Sequence, residues 1–498
     1  MLFTSTAFFL VYLPVVLLGY YLAARHSPIW GAGWLFVASL AFYAYWMPEF
    51  TALLLASILW NYWVGLKISS QDPTGGDQAR RNKARAWLIA GVTVDLSLLA
   101  YFKYAGFFVA NLNAALGTSW SLGEIILPIG ISFFTFTQIA FLADAYQKGT
   151  KEYRFVHYGL FVTYFPHLIA GPVLHHAQMM PQFREAATYR LNVDNLATGF
   201  CIFAIGLFKK IVLADGISPY ADAVFNAAHT GYQPDLLEAW IGALAYTFQL
   251  YFDFSGYSDM AVGLSWMFNV RLPYNFNSPY KALNITEFWR RWHMTLSAFL
   301  RDYLYIPLGG NRNGPLRRYI NLLVTMILGG LWHGANWTFV FWGALHGLYL
   351  VVNHGFQALC GQRFDALRSS AACKILAWGL TFLATVFAWV FFRANDFSSA
   401  LTIIAAMLNP LQSAPGAQSA LWNQGLDVGR GVWFIVALLA VSVAMPNSNA
   451  IGERVAILVR RHVTWPFALL GGALTLGAFL VAINATRDSV SAFIYFNF

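Results

Sequence analysis

Apolar runs separated by short polar connections fill the chain from end to end. LFTSTAFFLVYLPVVLLGYYLA (2–23) is the first of fourteen such stretches. The others are 29–47, 50–67, 86–109, 124–144, 155–174, 196–214, 236–263, 319–336, 337–356, 374–393, 397–409, 430–446 and 467–484. A helix needs roughly 20 apolar residues to cross a bilayer, and the shorter stretches suit re-entrant segments buried against protein. The pattern predicts an all-α polytopic membrane protein. The first run lacks the basic start and small-residue cleavage site of a signal peptide, so it reads as a retained span. No polar stretch is long enough for a soluble domain, so residues 1–498 are expected to form one membrane domain.

Two regions depart from the simple pattern. In YFDFSGYSDMAVGLSWMFNVRLPYNFNSPYKA (251–282), Asp253 and Asp259 flank Ser255-Gly256 within an apolar run. The pair predicts a bent or partly unwound helix, and the segment with Pro273, Asn275, Asn277 and Pro279 predicts irregular chain folded inside the protein. In ITEFWRRWHMTLSAFLRDYLYIPL, Asn284 or Thr286 can cap, Glu287 stands in the first turn, and no proline intervenes before Pro307. That spacing predicts one helix of about five turns, with Glu287 and Arg291 placed to pair at i,i+4. Its tryptophans and arginines equally suit an interfacial belt.

Composition agrees. The chain is 58% hydrophobic and 11% charged, against about 25% charged for soluble proteins. The net charge of +9 reads as cytoplasmic loops and membrane lipid contact, not as a nucleic-acid surface. Lys67–Arg85 holds five basic residues and is expected inside, whereas 111–123 holds none and is expected outside. Counting back puts the N-terminus in the periplasm, and Arg454, Arg460, Arg461 and His462 place the C-terminus there too. Cys201, Cys360 and Cys373 are far apart and read as packed thiols, with no zinc or disulfide pattern.

An ionisable group inside a span costs several kcal/mol and usually faces a cavity or a partner. Asp95 and Lys103 share one predicted span and read as paired or snorkelling. Lys209 and Lys210 read as a cytoplasmic boundary. Among the histidines, His26, His157, His229 and His462 read as loop or interface residues, His167, His175 and His176 surround the Gly171-Pro172 break, and His346 reads as helix packing. His333 differs, because it lies in an uncharged run beside Gly329, Gly330 and Gly334. Those small residues let backbone or substrate approach closely, and a neutral imidazole is a suitable base for a hydroxyl. No nucleotide-binding loop, nucleophile elbow or metal-ligand spacing competes. The residues themselves point to an internal polar site holding His333 and His293. It suits group transfer between two bound substrates, or a proton relay in a transporter or export channel.

LPIGISFFTFTQIAFLADAY (127–146), LIAGPVLHHAQMMPQF (168–183), the block 251–312, GGLWHGANWTFVFWGALHG (329–347) and the ending FIYFNF resemble the membrane-bound O-acyltransferases (MBOAT). The likeness is greatest to the bacterial branch typified by the integral-membrane subunit of alginate O-acetylation. It implies a ring of tilted transmembrane and re-entrant helices around a central tunnel, with 251–347 as the most specific block. It also implies that His333 is the catalytic histidine and His293 its partner. Asp253, Trp332, Asn336, Arg290 and Arg291 are the expected substrate-binding positions. No bound cofactor or metal is expected; the donor would be acetyl-CoA or another acyl thioester. The acceptor would be an exported polysaccharide such as alginate, reached through a periplasmic SGNH-type acetyltransferase partner across a bacterial inner membrane. D-alanyl or longer acyl transfer is the in-family alternative. After Gly171-Pro172 this chain has Val173-Leu174-His175-His176 where polysaccharide members often carry basic residues, so no contact is carried over there.

Overall fold

The computed structural model describes residues 1–360, 370–411, 419–461, 464–487 and 492–494. His462 and the last four residues of FIYFNF lie outside them. Every regular element among the described residues is helical. Among the described residues seven helices are long and apolar enough to cross a membrane, or up to eight if the bent pair Val428–Ala444 and Ser448–Arg461 forms one span. Most of the other apolar stretches are shorter or more polar as helices. The run 155–174, for example, is helical only over Phe155–Thr163 and then turns.

Two compact units divide the chain. The first comprises Met1–Leu207, Tyr257–Tyr274 and the chain from Ser448. Prolines in the first turn open Pro28–Trp46 and Pro48–Ser70, where the missing N–H costs nothing. Glycine sets the close approaches. A Cβ on Gly199 would stand 2.6 Å from the Gly263 carbonyl oxygen, so only small residues let these two segments pack backbone to backbone. Asp95 and Lys103 do not pair with each other. Asp95 accepts from Asn61 Nδ2 at 2.7 Å, and Lys103 reaches Ser132 Oγ at 3.4 Å.

The second unit comprises Phe208–Gly256 and Asn275–Asn447. Its central feature is a tight antiparallel hairpin of Gly314–His333 and Trp337–Cys360. A Cβ on Gly330 would lie 2.2 Å from the Phe339 carbonyl oxygen, and one on Gly343 would lie 2.3 Å from that of Met326. Of the glycines around His333, Gly330 admits the protein's own backbone, Gly334 the Phe339 ring and Gly329 the Leu300 side chain. They fix where the first helix ends, and His333 is its last residue.

Two local expectations need correcting. Ser255-Gly256 does not break its helix, since Leu236–Met267 runs for 32 residues without interruption. The polar side chains beside the break are held without unwinding: Asp253 is ion-paired and Ser255 accepts from Lys209. Conversely, the five-turn helix predicted through FWRRWHMTL is interrupted. Ile285–Trp289 and Met294–Leu300 are separate helices, and His293 between them sits in the left-handed region at φ 44°. The irregular chain of 275–277 replaces the lost helical bonds. Asn277 N–H donates to the Arg291 carbonyl and Met294 N–H donates to the Asn275 carbonyl, both at 2.9 Å. A non-glycine residue in that region costs of order 1–3 kcal/mol, so the surrounding contacts must over-determine it.

Candidate active site

The sequence builds the site from two helix ends. Asn284 caps the first short helix by accepting from Glu287 N–H at 2.9 Å, and Glu287 returns a carboxylate oxygen to Leu283 N–H at 2.9 Å. One turn later Trp292 is buried among Phe276, Phe288 and Trp389, with ring centroids at 5.1, 5.6 and 4.9 Å. That burial excludes the interfacial-belt reading for this face. The break then turns His293 inward, fully buried.

His293 and His333 come together, with ring centroids 6.4 Å apart. His293 also lies 4.7 Å from the Phe254 ring and 6.4 Å from Trp332. His333 is walled by Trp332, Trp342 and Phe392 at 5.0, 5.2 and 5.2 Å. Both imidazoles are thus held within one wall of aromatic rings, where little water competes for their nitrogens. Such a site can take a proton from a bound hydroxyl and return it to a leaving group. Among the described residues no group of His, Cys, Asp or Glu could hold a metal ion.

The other expected positions have separate surroundings. Trp332 is beside both histidines. Asp253 precedes Phe254 on its helix and is ion-paired with Lys210, which also reaches Asp215 at 2.8 Å. Asn336 closes the link between the hairpin helices: its oxygen accepts from Thr338 N–H at 3.1 Å and its amide donates to the Asn395 carbonyl at 2.8 Å. Arg291 pairs with Glu287 at 2.8 Å, as its spacing predicts, and Arg290 is exposed.

Sequence reasoning missed two contributors. Lys210 is buried in a π-helical turn, Lys209–Ala214, and marks no boundary. A carboxylate at Asp253 needs a cation, and that requirement was the available signal; removing one partner of such a pair costs about 3–5 kcal/mol. Asn275 had only its place in irregular interior chain. His346, read as helix packing, is fully buried and accepts from the Trp289 indole N–H through Nδ1 at 3.3 Å.

A polytopic protein, helical throughout its described residues, with two neighbouring histidines inside one aromatic wall is the class that fold and site define. Residues 119–392 match the family model for MBOAT, the membrane-bound O-acyltransferase family. The chain is 44% identical over 435 residues to the peptidoglycan O-acetyltransferase of Helicobacter pylori, covering 82% of this chain and 80% of that one. It is 46% identical over 419 residues to the probable alginate O-acetylase AlgI of Azotobacter vinelandii, covering 82% and 78%. It is 29% identical over 283 residues to the teichoic acid D-alanyltransferase of Bacillus subtilis, covering 55% and 70%. The chain belongs to the membrane-bound O-acyltransferase family. It is a multi-pass membrane enzyme that transfers acyl groups from an acyl donor.

Proposed function

We propose that this enzyme passes acetyl groups from a cytoplasmic thioester, acetyl-CoA, across the bacterial inner membrane for O-acetylation of an exported polysaccharide. The observation that carries the reading is the buried pair of His333 and His293 at the ends of the two motif-bearing helices. The names of the relatives at 44–46% identity support acetyl over D-alanyl transfer. Those names divide between peptidoglycan and alginate, and the chemistry common to both is acetylation of a sugar hydroxyl.

In the proposed reaction His333 removes the proton from the acceptor hydroxyl as its oxygen attacks the thioester carbonyl. The new C–O bond forms and the C–S bond breaks, and the thiolate leaves with the proton that the imidazolium returns. His293 orients the reacting groups from the facing wall. Trp332 packs against the acyl group, and Asp253, Asn336, Arg290 and Arg291 contribute to substrate binding. Residues 1–498 act as one membrane domain with both termini in the periplasm, and a periplasmic SGNH-type acetyltransferase partner completes delivery to the sugar.

The test is acetyl analysis of exopolysaccharide and peptidoglycan from a deletion strain, complemented with wild type or His333→Ala at matched membrane abundance. Restored acetylation by wild type alone is expected. Full acetylation by His333→Ala would overturn the catalytic assignment. Labelled acetyl-CoA supplied to the purified protein, beside a carrier-bound D-alanyl thioester, tests the donor.

A further inference from the structure

His293 owes its conformation to Asn275. The Asn275 carbonyl accepts from Met294 N–H at 2.9 Å, which anchors the residue just after the break. The Asn275 side chain, also buried, then reaches back into the same turn. Its Oδ1 lies 3.3 Å from Thr295 N, 3.0 Å from Thr295 Oγ1 and 3.1 Å from His293 Nδ1. A backbone N–H can only donate, so the amide atom facing Thr295 N must be the oxygen. An amide oxygen can only accept, so His293 Nδ1 must carry a hydrogen. One main-chain N–H thereby fixes the amide, and the amide fixes the imidazole.

Resting on the reading of His293 as part of the reaction site, we propose that Asn275 is a positioning residue. It locks neutral His293 in the tautomer with the proton on Nδ1 and the lone pair on Nε2. In this state Nε2 is the atom able to accept a hydrogen bond from the incoming hydroxyl or the departing thiol. The left-handed turn at His293 and the irregular chain through Asn275 then form one device: the turn presents the ring, and the amide sets which nitrogen is basic. The arrangement matches the general logic by which the partner of one imidazole nitrogen determines the chemistry of the other.

The full-length protein, labelled with 15N-histidine and reconstituted in lipid nanodiscs, tests this by solid-state NMR near neutral pH. The His293 signals are assigned by their loss in His293→Gln. A protonated, pyrrole-type Nδ1 with a pyridine-type Nε2 is expected. The reverse pattern, or signals averaged between tautomers, overturns the proposal. Asn275→Leu should mix the tautomers and lower kcat about 10–100-fold, with KM for the thioester little changed. Asn275→Asp, which keeps an acceptor oxygen, should retain the Nδ1–H signal and recover part of that loss. Full kcat in a folded Asn275→Leu variant would remove the positioning role. Should that variant fail to fold, the wild-type spectrum still decides the tautomer. His333→Ala separates this proposal from the reading it rests on. Persistent acyl transfer there defeats the assignment of the reaction site, whereas the His293 signals report the tautomer whatever the activity.

Discussion

Histidines gather in two places in this protein, and their partners differ in kind. In the first unit His157 and His176 flank one carboxylate, Glu152, at 3.9 and 3.5 Å, with Arg184 at 3.2 Å and the Arg154 amide at 3.1 Å. In the second unit His293 is bound through Nδ1 to an amide, and His333 is packed among aromatic rings. Around Glu152 the neighbours converge on one acceptor, a buried carboxylate. Around His293 the neighbours include an amide oxygen and the Phe254 ring, and around His333 they include three aromatic rings. On the proposed function, the cluster around Glu152 holds chain together and the aromatic one moves a proton.

The sharpest break between the two clusters is in activity. His333→Ala should lower acyl transfer per folded molecule by about 10²–10⁴-fold, the usual contribution of a general base. His293→Gln, which removes the partner but keeps a polar side chain, should lower it by about 10–100-fold. His157→Gln should leave turnover within about twofold of wild type, because His157 serves only the ion-pair cluster. Labelled acetyl turnover in nanodiscs at matched protein content measures all three. Equal losses in His157→Gln and His333→Ala would erase the distinction.

The charged cluster should instead answer to stability and pH. Burial alone would push the Glu152 carboxyl up, but hydrogen bonds from His176, the Arg154 amide and Arg184, with the charge of His157, bring it down from 4.5 to about 2. A carboxylate depressed in the folded state stabilises fully above its unfolded value and loses that stabilisation as pH falls through the folded one. The window for Glu152 therefore runs from about 4.5 down to 2. Glu152→Gln should lower thermal stability near neutral pH by about 1–3 kcal/mol, as for a charged hydrogen-bonded group. Wild type and variant should converge as pH falls from about 4.5 to about 2, with turnover per folded molecule unchanged at neutral pH. A stability gap that stays constant on acidification would show that the charge of Glu152 is not what holds the cluster.

How much of this was written locally follows from the residues themselves. Helix and membrane class were legible because apolar length is a property of contiguous sequence, and so was the Glu287–Arg291 pair, set by i,i+4 spacing. His333 was marked out by an uncharged run with glycines, although Gly330 admits the Phe339 backbone and Gly334 the Phe339 ring. The break at His293 was not legible, because it depends on Asn275 and Asn277 satisfying backbone groups from 14 to 19 residues away. Lys210 was misread for the same reason: its partner Asp253 lies 43 residues along the chain. Local pattern locates a site's histidines. What fixes their nitrogens is tertiary.

The smallest expected effect concerns His346, which is fully buried within reach of the aromatic wall and resembles a third member of the site. Its nitrogen has the opposite environment from that of His293. The Trp289 indole can only donate, so His346 Nδ1 accepts and the proton sits on Nε2, where no polar partner reaches it among the described residues. A histidine with its lone pair committed to an indole and its N–H facing rings has no free base to offer. His346→Phe removes the unpartnered N–H and leaves the Trp289 indole unbonded, two effects of about 1–3 kcal/mol that oppose each other. Turnover within about threefold of wild type and a net stability change of about 1 kcal/mol or less are expected. A loss of tenfold or more, measured beside His293→Gln in the same nanodiscs, would make His346 part of the proton path. It would also show that aromatic enclosure, not the choice of tautomer, defines the site.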